Sequence, residues 1–251
     1  MTERTGRKPS IGAWQALLLF VLIWVVSMTA GPALRGFIQP YVSLNTPRDI
    51  VAFRTAFGLP VSWLILGATV LILRLRGQRL SDIGWRSPGK IWGWLLAAAI
   101  VAFFVFSSFR GPSCRGMCFI DPHLWLTDWS PFRTMTSLMI GLTAGICEET
   151  MFRGFVMTEA RDGGAPVWLQ IVLAGVLFGL AHFSIGGFSG HFNLAGMFSA
   201  LMSTTVFGVL FAFVYLAAGR SLIPGIIGHS VFAFTTEPWM LLHVVSIGGG
   251  H

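Results

Sequence analysis

The sequence predicts an all-α fold, a polytopic transmembrane bundle of about seven or eight membrane helices. Three observations carry that expectation. Apolar residues make up 54% of the 251 positions, and the mean hydropathy is +0.73. Charged residues make up 11%, against about 25% in an ordinary soluble domain. The apolar residues also come in runs near the ~20-residue length that crosses a hydrocarbon core, joined by short polar pieces.

The first run, from Ile11 to Leu34, is too long for a signal-peptide core and lacks an A-x-A end, so it reads as a retained span over 12–33. Further spans are expected over 55–75, 91–109, 135–158, 166–184, 194–218 and 221–236. An eighth apolar stretch, 239–247, is too short to cross alone. Gly- and Pro-rich joints separate them, among them Arg161-Asp162-Gly163-Gly164-Ala165-Pro166 and Gly186-Gly187, while Glu237-Pro238 reads as the end of the seventh span. The chain thus divides into N-terminal spans with an external interfacial loop (1–134), a helical core (135–236) and a C-terminal tail (237–251).

Orientation follows from Lys and Arg, which concentrate on the cytoplasmic side. With the N-terminus inside, the inner segments hold Arg4, Arg7, Lys8, Arg74, Arg76, Arg79, Arg86, Lys90, Arg153, Arg161 and Arg220. The outer segments hold fewer: Arg35, Arg48, Arg54, Arg110, Arg115 and Arg133. The net charge of +7 is spread over the ends of apolar runs and forms no basic stripe, which excludes nucleic acid as a partner. Membrane lipid is the implied surrounding, and nothing fixes an oligomeric state. Cys114 and Cys118 share the external loop, where both a disulfide and two free thiols are compatible with the spacing; Cys147 lies inside an apolar run. Gly141/Gly145, Gly175/Gly179 and Gly225/Gly228 have the spacing that lets helix backbones approach closely in lipid.

Ionisable groups deep in a membrane are costly and mark function. The fourth span contains Cys147-Glu148-Glu149-Thr150-Met151-Phe152-Arg153. Glu149 and Arg153 are four apart, the spacing of an ion pair on one helix face. Glu148 has no such partner on its own helix and is the better general base or acid. His182 ends the next span after Phe178-Gly179-Leu180-Ala181, and His229 follows Pro224-Gly225-Ile226-Ile227-Gly228 in a later one. Polar groups in hydrocarbon must find one another or water. At 1.5 Å per residue, Glu148 stands about 22 Å and His182 about 28 Å from Gly163, and His229 about 14 Å from Arg220, depths that permit convergence. Cys147 as a nucleophile is disfavoured because a buried thiol in apolar surroundings is inert. His191 and Asn193 follow the His182 motif and suit either a cavity mouth or a plain loop; His123, His243 and His251 receive no role. A transporter would show repeated halves, and no repeat is present.

These residues resemble the CPBP family of intramembrane proteases, relatives of the CAAX prenyl endopeptidases, also called the Abi group. Glu148, Glu149 and Arg153 match its E-E-x-x-x-R motif, and Phe178 and His182 its F-x-x-x-H motif. Gly208, Tyr215, Arg220, Ser221, Pro224 and His229 resemble its later blocks in order and spacing. The resemblance covers about 135–235 and implies hydrolysis of a peptide bond in a membrane-associated peptide or protein, in a bacterial cytoplasmic membrane. Glu148 and His182 would activate a water and His229 would polarise the carbonyl, with Glu149, Arg153 and Phe178 in support and no cofactor required. Zinc on Glu148, His182 and His229 is the alternative the family's metalloprotease name carries, although no H-E-x-x-H spacing is present. One departure stands out. The family's last motif places Asn or Asp four residues after His, and here that residue is Ala233. The lost donor is worth about 2.7–4 kcal/mol in an oxyanion hole, with Thr235, Thr236 or Asn193 as candidate substitutes and Asn193 and Thr235 as candidate cavity residues. The departure leaves a second function open, a catalytically weakened membrane binding, immunity or scaffolding protein.

Overall fold

Ser130 and Pro131 open the segment that carries the chemistry. The Ser130 hydroxyl accepts the Arg133 N–H at 3.3 Å, and Pro131 takes the first helical position, where its missing N–H costs nothing. The helix therefore begins four residues before the expected 135. The computed structural model describes residues 11–38, 47–109, 130–183 and 194–248, and every regular element among them is helical. In chain order these are α1 (Ala13–Ile38), α2 (Pro47–Leu75), a 3₁₀ turn (Leu80–Ile83), α3 (Trp92–Ser108), α4 (Pro131–Thr143), a π-helix π1 (Ala144–Val156), α5 (Met157–Asp162), α6 (Val167–Phe183), α7 (Leu194–Ala217) and α8 (Ile223–Gly248). The 110–129 part of the external loop, with Cys114, Cys118 and His123, and the stretch holding Gly186, Gly187, His191 and Asn193 lie outside the described residues, as does His251.

α2 opens at Pro47, eight residues before the expected 55, and two further elements differ from the sequence expectation. The α-helix expected over 135–158 widens into a π-coil at Ala144, in which each N–H bonds five residues back, a feature found mostly at functional sites. Gly145 sits in that coil where a Cβ would fall on the Ser230 hydroxyl, so π1 and α8 run nearly backbone to backbone there. The second difference is at the end of the chain. The stretch 239–247 continues α8, which passes through Glu237 and Pro238 without a break. Membrane helices tolerate an internal proline, and α2 does so at Pro60.

The joints 76–91, 163–166 and 218–222 meet the start of α1 at one end of the bundle. Arg76 pairs with buried Glu159 at 2.9 Å, Gln78 donates to Asp162 at 3.0 Å, and Trp14 Nε1 donates to the Gly163 carbonyl at 3.0 Å. Arg220 donates to Gln170 at 2.8 Å, Ser221 to the Arg86 carbonyl at 2.6 Å, and Tyr215 to the Ile83 carbonyl at 3.2 Å. The inner joints of the charge count thus share one polar end.

Elsewhere the described residues expose mainly apolar side chains. Val26, Leu64 and Phe106 are 64%, 74% and 67% exposed, whereas Glu149 and Arg153 are 1% and 0% exposed. Charge inside and aliphatic groups outside is the distribution that hydrocarbon requires. Among the described residues, Gly58–Leu75 and Met197–Ala217 are long and apolar enough to cross a membrane, with shorter apolar helices in α1, α3, α6 and α8. Lipid is as apolar as leucine, so close packing and interhelical hydrogen bonds hold such helices together. The centre is aromatic: Phe20, Phe152 and Phe178 meet edge to face in sequence, at 6.1 and 5.4 Å. Such contacts contribute about 0.5–1.5 kcal/mol each.

Candidate active site

Three elements bring the polar residues together. Glu148 projects from π1, His182 from the last turn of α6 and His229 from the second turn of α8. Glu148 Oε2 lies 3.9 Å from His182 Nε2 and 3.8 Å from His229 Nε2. Both separations exceed a direct hydrogen bond and are of the size a single bridging water spans. Glu148 and His182 are 20% and 16% exposed at their side chains and His229 is 2% exposed, so the cluster is reached from the Glu148–His182 side.

The far nitrogen of each imidazole fixes what the near one can do. His182 Nδ1 sits 2.9 Å from the Phe178 carbonyl, which can only accept, so Nδ1 carries the hydrogen. His229 Nδ1 sits 2.8 Å from Glu149 Oε1, and by the same reasoning donates to that carboxylate. In a neutral His182 ring Nε2 then turns a lone pair toward Glu148. Phe178, four residues before His182, also sets its ring, tilted by 37°, 4.5 Å from the imidazole, so one helical turn of α6 sets both position and tautomer.

Glu149 does more than pair with Arg153. The ion pair is present at 3.0 Å, through Oε1, the oxygen that also accepts from His229. Its other oxygen lies against Gly225, where a Cβ would stand 3.1 Å away. Arg153 is fully buried; it donates to the Gly208 carbonyl at 3.2 Å and lays its guanidinium 4.4 Å over the Phe178 ring. One guanidinium therefore joins π1, α6 and α7, and a cation over a desolvated ring adds up to about 2 kcal/mol. Phe207 and Phe211, one turn apart on α7, stand 4.9 and 5.3 Å from the His229 ring and complete its walls. Sequence reasoning passed over these two, because a phenylalanine in an apolar helix reads alike whether it faces lipid or an imidazole.

Other candidates lie elsewhere. Thr235 donates to the carbonyls of Val231 and Phe232 on its own helix, and it lines a groove against α3, on the side of α8 away from His229. Thr236 is likewise bonded to Phe232 O. Ala233 is fully buried and packs with Ile140, Ala144 and Leu59. Tyr215, Arg220 and Ser221, matched on the later family blocks, tie the polar end together and stand outside the cluster. Cys147 is buried in the aromatic core beside Glu148. Among the described residues no three His, Cys, Asp or Glu side chains are grouped as a metal site. Glu148 Oε2 stands 3.9 and 3.8 Å from Nε2 of His182 and His229, a few tenths of an ångström wider than the ~3.3–3.6 Å between tetrahedral ligands on zinc.

Residues 129–235 match the family model described as Type II CAAX prenyl endopeptidase Rce1-like. No curated protein and no solved structure matches the chain. The matched stretch opens one residue before the Ser130 cap and closes within α8, so it contains Glu148, Glu149, Arg153, Phe178, His182 and His229. That stretch, which holds the whole polar cluster, is similar to the CPBP/CAAX protease family, and the match supports an assignment to it.

Proposed function

We propose that the protein is an intramembrane endopeptidase that hydrolyses peptide bonds in a membrane-associated peptide or protein with a water activated by Glu148 and His182. The observation that carries this reading is the approach of two imidazole Nε2 atoms to one carboxylate oxygen at 3.8 and 3.9 Å, inside an otherwise apolar bundle. A water held there donates to Glu148 and His182 and is aimed by both. Glu148 takes a proton as the water oxygen bonds to the scissile carbonyl carbon, a general-base step worth about 10²–10⁴-fold. The carbonyl π electrons move to oxygen, and Nε2 of a protonated His229 donates to that oxyanion. When the C–N bond breaks, Glu148 returns its proton to the leaving nitrogen. Glu149 keeps His229 turned toward the reaction while Arg153 balances the charge of Glu149.

In this reading the chain crosses a bacterial cytoplasmic membrane seven times, with its N-terminus and its polar end on the cytoplasmic side. The test is cleavage of a fluorogenic peptide by the full chain in proteoliposomes. Glu148→Ala and His182→Ala should abolish turnover while the protein is still made and folded; full turnover by both sinks the proposal. A metal-free reaction persists after dialysis against a strong chelator, and loss restored by zinc alone would move the assignment to a metal on the same three residues.

Ala233 favours a second reading, a membrane binding or scaffolding protein that keeps the cluster without efficient catalysis. Ala233→Asn should then create or raise turnover, provided the amide is accommodated against Ile140 and Ala144. No gain in a folded variant of an inactive parent counts against it.

A further inference from the structure

Away from the cluster, a groove of about 410 Å³ runs between α3 and α8. Trp94, Ala98 and Val105 form one wall and Pro224, Gly228 and Thr235 the other. Each wall spans twelve residues, eleven helical steps, so the trough is about 16 Å long. Ala98 and Gly228 hollow it, and the Thr235 hydroxyl is turned back onto the carbonyls of Val231 and Phe232. Hydrocarbon is the chemistry such a wall accepts.

The Trp94–Pro224 end of the trough reaches the polar end of the bundle, and two exposed cations stand there. Arg86 is fixed by its Nη2 on the Gly219 carbonyl at 2.9 Å, and its own carbonyl accepts from Ser221, one turn before Pro224, at 2.6 Å. Lys90 is exposed four residues before Trp94. Asp82, the acid in the same loop, already accepts the Arg79 N–H at 2.8 Å. The geometry points to an amphipathic anion: we propose that this groove binds an anionic glycerophospholipid of the surrounding bilayer, its phosphate at Arg86 and Lys90 and one acyl chain along the α3–α8 trough. A zwitterionic lipid fits the trough but brings its own cation toward Arg86 and Lys90, which form no ion pair among the described residues.

Native mass spectrometry of the full chain in detergent tests this with three probes: dioleoyl phosphatidylglycerol, dioleoyl phosphatidylcholine and glycerol 3-phosphate. Phosphatidylglycerol should be retained at several-fold lower concentration than phosphatidylcholine, and glycerol 3-phosphate should not compete. The paired change Arg86→Gln and Lys90→Gln should cut the preference by about five-fold per cation, while Ala98→Leu, which fills the trough, should weaken both lipids. Both cations lie on an exposed loop, so their variant folds even if Ala98→Leu does not. Equal retention of the two lipids by the parent overturns the proposal, as does a preference that survives loss of both cations. Competition by glycerol 3-phosphate would make the site one for soluble phosphates, and a dimer mass abolished by Ala98→Leu would make the groove a contact between copies; either overturns it.

Discussion

Glu149 and His229, 80 positions apart in the chain, meet through a 2.8 Å hydrogen bond between one carboxylate oxygen and the imidazole Nδ1. The same oxygen holds Arg153 at 3.0 Å. Adjacent glutamates therefore have separate tasks: Glu148 faces the gap between the imidazoles, and Glu149 faces a buried cation and the back of one ring.

That division predicts opposite responses to the same isosteric change. Glu149→Gln strips the fully buried Arg153 of its counter-charge and should destabilise the protein by about 3–5 kcal/mol, the cost of breaking a buried pair from one side. Glu148→Gln leaves the Glu149–Arg153 pair in place and should unfold closer to the parent than Glu149→Gln does, yet lose at least about 100-fold in kcat. Thermal unfolding in detergent and peptide turnover on the same preparations check both.

Gly179 lies three residues before His182, and a Cβ there would fall on the Thr205 hydroxyl. Gly179→Ala must push α6 away from α7, costing about 1–3 kcal/mol as overpacking does. It should also lower turnover more than it lowers stability, because the displaced turn carries His182. Activity unchanged in a destabilised variant would separate the α6–α7 contact from the position of the imidazole.

Cys147 neighbours Glu148 but is fully buried among Ile, Met and Phe side chains. Cys147→Ala should keep turnover within a few-fold of the parent, and the folded protein should resist alkylation at this position, measured by mass spectrometry. A complete loss of activity in a folded Cys147→Ala variant would bring the thiol back as a reacting group.

Trp85 donates its indole N–H to Thr150 in the middle of π1 at 3.1 Å. Trp85→Phe keeps the ring and removes the donor, and should cost about 0.5–1.5 kcal/mol of stability, read from the unfolding temperature.

The cluster was legible because a charged or imidazole side chain within an apolar run has few explanations; Glu148, His182 and His229 stand out on that ground alone. The Glu149–Arg153 pair was legible because four-residue spacing is local. The bond from Glu149 to His229 was not, since nothing in either segment names a partner 80 positions away. The π-coil escaped for another reason: hydrogen-bond register leaves no mark on hydropathy, and a wider coil advances less per residue, so Glu148 was counted deeper than it sits. Thr235 shows the converse error. A hydroxyl near His229 in sequence is a poor guide on a helix, where the side chain six residues on faces another way and satisfies itself on its own backbone. The helix boundaries were mostly within a few residues, and the two starts placed late, 55 for Pro47 and 135 for Pro131, each had a helix-opening proline as an available signal.

Three tryptophans from the first ninety residues donate their indole N–H groups to the site-bearing rod: Trp63 to Thr143 at 3.0 Å, Trp85 to Thr150 at 3.1 Å and Trp14 to the Gly163 carbonyl at 3.0 Å. They fall just before π1, within it and beyond α5, so they splint the coil along its length. An excised 129–235 fragment would keep every reactive side chain and lose the clamp that holds them in register. The unit that can be transplanted, trimmed or minimised is consequently larger than the stretch that looks like an enzyme.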